Sequence, residues 1–158
     1  MKNSILLTLT FLMAICITNV SAQKVKVKIK KDVAYVDDVA YLDMSECTAL
    51  NCAIKSLTGE DVLVIQFESF EKPNPVKRNP KSKSPYSSTV TERYSIVKFL
   101  GFELEFESEF TRKSLIKAMF NGKVINEDGT VNEENAKSLA KKFGRDISSN
   151  KPVHIITN

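Results

Sequence analysis

Residues 62–70 read Val-Leu-Val-Ile-Gln-Phe-Glu-Ser-Phe. The run is apolar nearly throughout, short, and rich in β-branched and aromatic side chains, which marks a central strand. Thr58-Gly59-Glu60-Asp61 is a turn on its upstream side, and a strand of about Cys52–Leu57 precedes that turn. Downstream, Pro73, Pro75, Pro80 and Pro85 stand among Lys, Asn and Ser. That proline density excludes a helix or an inner strand, so 71–88 reads as a long loop of a kind uncommon unless functional or disordered.

Alternation continues outward in both directions. Val33–Val36 and Val39–Met44 flank Asp37-Asp38, the place of a two-residue hairpin turn, although glycine is the usual occupant where Asp38 stands. Val25, Val27 and Ile29 alternate with Lys24, Lys26, Lys28 and Lys30. After a strand over about Val90–Leu100 and a break at Gly101, Phe102, Leu104, Phe106 and Phe110 alternate with Glu103, Glu105, Glu107 and Glu109. The lysine and glutamate rows share one period, and opposite charges on adjacent strands specify register. The expectation is therefore that strands 24–30 and 102–110 lie side by side, with both rows on a common outer face.

The period then becomes helical. Leu115, Ile116, Met119 and Phe120 make one face of a helix from about Thr111 to Asn121, stopped by Gly122. Asn126-Glu-Asp-Gly129 links it to a second helix from about Glu133 to Phe143, capped by Asn132 and ended by Gly144. Pro152–Ile156 reads as a last short strand. The fold class is α+β: one antiparallel sheet of about six to seven strands with two C-terminal helices.

The first 22 residues have the layout of a cleavable signal peptide. Lys2 precedes the apolar run Ile5–Ile17, and Val20 and Ala22 occupy the positions that a signal peptidase reads. The 13-residue run is short of the roughly 20 needed to span a bilayer, and Ile15 before Cys16 does not suit lipidation. Residues 23–158 then form a single exported domain, periplasmic or secreted, with no transmembrane segment after processing. Its net charge of +3, against +4 for the whole chain, is too small to imply nucleic acid.

Cys16 leaves with the leader, and Cys47 and Cys52 remain as an even pair. In an oxidising compartment they are expected to close a structural disulfide, contributing about 2 kcal/mol through the loop it constrains. The spacing is not that of a redox Cys-x-x-Cys, and two thiols with one distant His154 do not complete a zinc set. Asn126 to Asn132 resembles a calcium loop only in part, because Val124 and Asn135 stand where carboxylates are required. No metal or cofactor is expected. His154 alone, near the chain end, does not support a Ser-His or Cys-His mechanism.

Three motifs, Ala34-Tyr-Val-Asp-Asp-Val-Ala-Tyr41, Thr58-Gly-Glu-Asp-Val-Leu63 and the helix–link–helix ending Lys142-Phe-Gly144, resemble a group of small exported bacterial proteins of unknown function. The resemblance implies export and an antiparallel sheet with C-terminal helices. It brings no activity and no site residues, and Asp38 departs from its expected glycine.

Between Glu71 and Pro85 stand Lys72, Lys77, Arg78, Lys81 and Lys83 against one acid. These five are the candidate anion-binding residues, for an anionic envelope component or an acidic protein. The resulting expectation is a non-enzymatic binding or structural module of the cell envelope. Two alternatives stand beside it: a hydrolase using the glutamates of 103–109, and an inhibitor or adaptor presenting the proline-rich loop. The intact mass of the exported protein is expected to correspond to a start at Gln23, with a two-proton deficit that a reductant clears; a native chain still beginning at Met1 would contradict the export reading.

Overall fold

The computed structural model describes residues 25–76 and 87–151. The signal-peptide reading, the 152–156 strand, His154 and four of the five basic loop residues lie outside them. Seven strands form one antiparallel sheet in sequential order: β1 Val27–Lys30, β2 Val33–Val36, β3 Val39–Cys47, β4 Asn51–Lys55, β5 Asp61–Pro73, β6 Thr89–Phe99 and β7 Leu104–Ser108. Helices α1 Arg112–Asn121 and α2 Glu133–Phe143 follow, then a 3₁₀ turn at Ser148–Asn150. No helix among the described residues is long and apolar enough to cross a membrane.

The first two turns are two-residue turns with both residues at positive φ: Lys31 and Asp32 at 48° and 61°, Asp37 and Asp38 at 49° and 67°. This is the twist-matched hairpin geometry, and aspartate is among the few non-glycine residues that tolerate it. Asp37 also accepts a hydrogen bond from the Lys26 N–H at 2.9 Å, and Asp38 pairs with the Lys28 ammonium. The missing glycine is thus offset by bonds that glycine could not make.

One sheet face carries the core. Ala34, Val36, Leu42, Met44, Ile54, Leu63, Ile65, Val97 and Phe99 are buried there, against Leu115, Ile116 and Met119 of α1 and Ala136 and Leu139 of α2. Both helices are closed locally. Thr111 and Ser114 form a reciprocal cap on α1, and the Asn132 side chain accepts from the Asn135 N–H at 3.0 Å on α2. α1 lies against β1 and β2, while α2 lies against β7.

Two expectations are corrected here. Strands β1 and β7 are not neighbours: they form the two ends of the sheet, β1 pairing with β2 and β7 with β6. Tight turns force each strand beside its successor, and that constraint outweighs charge matching worth a few tenths of a kcal/mol per pair. Lys28 of the lysine row finds its acid in the Asp37-Asp38 turn instead. Second, the segment taken as loop from residue 71 begins three residues later, because β5 runs on to Pro73, which pairs with Thr89. A proline fits there as the last strand residue.

Gly129 sits at φ 89°, and a Cβ there would come within 3.3 Å of Ser56 and Thr58 in the neighbouring turn. Gly129→Ala is expected to lower stability by about 1–2 kcal/mol through strain and contact together, read as a lower urea midpoint with an unchanged slope.

Candidate functional site: an apolar groove at the root of a hairpin arm

β4 accompanies β5 only as far as Gln66, and β7 accompanies β6 only as far as Ser95. The six pairs from Glu68↔Tyr94 to Pro73↔Thr89 therefore extend alone as a two-stranded arm, about 20 Å long at the rise of a strand. Such a ribbon is marginal by itself. On its outer face Phe70 and Tyr94 meet edge to face at 6.2 Å, Lys72 pairs with Glu92, and Lys151 sits 5.2 Å from the Tyr94 ring centroid. Near the tip the Asn74 N–H donates to the Ser88 carbonyl at 2.8 Å.

A groove of about 810 Å³ opens at the root of this arm. Ile29 of β1, Phe67 of β5 and Phe110, just past β7, give it an apolar floor. That Ile29 and Phe67 share an opening across three intervening strands means the sheet is strongly coiled. Ala49 and Leu50 form one wall, and Arg93, Arg112 and Lys113 stand around it with Glu68 and Glu109.

The wall at 48–51 is held at both sides. Cys47 and Cys52 are cross-strand partners flanking the turn, with their sulfurs at bonding distance. Within it the Thr48 N–H donates to the Asn51 carbonyl, and the Leu50 carbonyl accepts from the Phe67 N–H, both at 2.7 Å. Arg112 lies across the floor with its guanidinium 5.2 Å from the Phe67 centroid and donates to the carbonyls of Thr48 and, at 3.3 Å, Ala49. Its Nε is shielded from solvent and has no partner among the described residues. Phe110 is backed by Phe143 of α2, with ring centroids 5.1 Å apart.

The structure separates the residues singled out by sequence. Cys47 and Cys52 come together and shape the groove wall. Lys72 belongs to the arm, where it pairs with Glu92; Lys77, Arg78, Lys81 and Lys83 lie outside the described residues. The glutamates of 103–109 do not converge. Glu103 and Glu105 are exposed, with Glu105 opposite Lys98 in the ladder. Glu109 lines the groove. Glu107 is taken by the C-terminal segment, its Oε2 accepting from the N–H groups of Ile147 at 2.8 Å and Ser148 at 2.7 Å. The link at 126–130 is a side-chain-stabilised turn, in which Asp128 accepts from the Thr130 N–H at 2.9 Å and its hydroxyl at 2.6 Å. No cluster of metal-ligating side chains occurs among the described residues. No protein-family model, curated protein or solved structure matches this chain.

Sequence reasoning missed the groove because five separate segments build it. One signal was present: Arg112 and Lys113 occupy the first turn of α1 where no acid stands, opposite to the usual dipole preference.

Partial burial acts to raise the Glu107 carboxyl, but hydrogen bonds from Ser148 and Ile147 and the charge of Lys151 outweigh it and hold the group below the usual carboxylate value. A depressed folded pKa gives stability that is present above the unfolded value, near 4.5, and lost as pH falls through the folded value. Glu107→Gln is expected to cost about 1 kcal/mol at pH 7, modest for a group partly open to water. Denaturation midpoints of parent and variant should converge as pH falls below about 4. A constant gap down to pH 3 would assign the loss to packing.

Proposed function

We propose that this chain is an exported, non-enzymatic binding module of the cell envelope, whose groove holds a ligand and whose arm carries a basic loop toward an anionic surface. The observation that carries the reading is the pairing of an open apolar groove with a projecting hairpin at its mouth. The arm supports the second half of the proposal by setting its tip about 20 Å beyond the sheet, where a loop can meet a surface before the body of the protein does. Four basic residues in the sequence that joins the two arm strands, each contributing about 1 kcal/mol near an anionic membrane, would give weak, salt-sensitive attachment. Export is supported by the leader pattern in the sequence and by the paired cysteines.

The hydrolase alternative draws no support from the geometry, since Glu107 serves to hold the C-terminal segment while Glu103 and Glu105 are exposed.

In sedimentation with phosphatidylglycerol vesicles at low salt, the parent is expected to be retained and then released near 0.15 M, where screening reaches about 8 Å. Replacing Lys77, Arg78, Lys81 and Lys83 together by Gln should lower retention at least tenfold and leave the melting temperature unchanged, whereas Lys72→Gln alone should leave retention unchanged. Equal retention of parent and fourfold variant would remove the loop from the proposal.

A further inference from the structure

We infer that the groove takes a single-chain acyl anion, a fatty-acid-type carboxylate, with its alkyl chain along Phe67 and Phe110 and its head group among Arg93, Arg112 and Lys113. The inference rests on reading the groove as a binding surface and names what it binds. Its volume, about 810 Å³, lies within the roughly 300–1,000 Å³ typical of small-molecule sites. Ile29, Phe67 and Phe110 offer a floor of hydrocarbon, and Leu50, 66 % exposed on the rim, is a large apolar side chain with nothing over it among the described residues. An alkyl chain covers such a floor without bringing polar groups of its own. An extended peptide would lay backbone N–H and C=O groups over the same three side chains, where unpaired polar groups are costly.

Charge decides the head group. Three cations and two carboxylates line the opening. The cations outnumber the carboxylates, so the balance at the opening favours an anion. Arg112 adds a fixed cation, its guanidinium held at the groove by the bonds from Nη2 to the Thr48 and Ala49 carbonyls. A carboxylate is the acceptor that a guanidinium pairs with most strongly.

The test uses the oxidised 23–158 chain, calorimetry and amide chemical-shift mapping, with a chain-length series from octanoate to dodecanoate below micellar concentration and a head-group series of decanoate, 1-decanol and decyltrimethylammonium. Full burial of a methylene is worth about a fourfold gain in affinity. In an open groove two- to fourfold per methylene is expected, with one-to-one stoichiometry and shifts at Ile29, Leu50, Phe67 and Phe110. Decanoate should bind about tenfold more tightly than decanol, and decyltrimethylammonium more weakly than either. Arg112→Gln should remove the preference for decanoate over decanol while keeping the chain-length trend; Lys113→Gln, at an exposed residue with no hydrogen bond to the 48–51 turn among the described residues, should reduce that preference in a chain whose wall is undisturbed. Equal groove affinity for decanol and decanoate would overturn the carboxylate assignment and leave the groove as a binding surface. Absence of groove shifts with every probe would overturn both readings, as would decanoate binding that shifts only residues outside the groove.

Discussion

Two helices of ten and eleven residues must cover one face of a seven-stranded sheet. At 1.5 Å per residue they are about 15 and 16 Å long and each about 10 Å across, a footprint of roughly 300 Å². The sheet spans six strand spacings, roughly 29 Å, and is at least five residues deep over most of its width, close to 500 Å². A flat sheet would leave apolar surface open along a whole side. Coiling reduces the uncovered area by bringing Ile29 of the first strand toward Phe67 of the fifth, with the bulges in β2–β3, β3–β4 and β4–β5 increasing the local twist. Part of what remains uncovered among the described residues lies at one end, where α1 begins and β5 and β6 leave the sheet. The groove is thus the residue of a covering problem, and its position follows from which helix terminus reaches that end.

The two outer strands meet a different constraint, because each exposes an unpaired edge. β1 is four residues long and carries Lys28 and Lys30, which discourages the approach of another strand. β7 is covered by its own chain: the Arg145 N–H donates to the Glu107 carbonyl at 2.8 Å, and the Glu107 side chain fixes the next turn through Ile147 and Ser148. The acidic row is therefore divided by edge chemistry. Glu107 holds the C-terminal segment, Glu105 faces Lys98, and Glu109 has passed beyond the strand into the groove.

Much of the fold was legible because its signals are local. Asp37-Asp38, Gly59, Gly101, the Asn132 cap and the change of period at Leu115 each report a geometry within a few residues, and each lies near the boundary of its element. Strand adjacency is less local. Matching rows of lysine and glutamate suggested that β1 and β7 meet, yet a two-residue turn at Lys31-Asp32, which no glycine announces, already commits β1 to β2. The reach of β5 to Pro73 was hidden for a related reason: prolines in sequence mark what cannot be interior, and the end of a free arm is not interior. The groove was illegible for a third reason. Its lining comes from five segments, and only the unfavourable cations at the start of α1 left a trace in one of them.

Those cations tie the electrostatics to the wall. Arg112 could have turned to water at little cost, since a guanidinium is solvated well there; instead it lies on Phe67 and bonds the carbonyls of a turn already closed by Cys47 and Cys52. The wall is held covalently at its base and by hydrogen bonds at its crest, and the floor is backed by Phe143 behind Phe110. A site restrained on three sides loses little entropy when occupied, so more of the contact energy remains as affinity. Fixing the wall also keeps Leu50 at the rim, where water meets its side chain. Collapse of the turn onto the floor would hide Leu50 and Phe67 from water, and the disulfide and Arg112 together resist it. The apolar groove therefore stays open because two unrelated restraints oppose the hydrophobic effect at an end of the sheet that the helices leave uncovered.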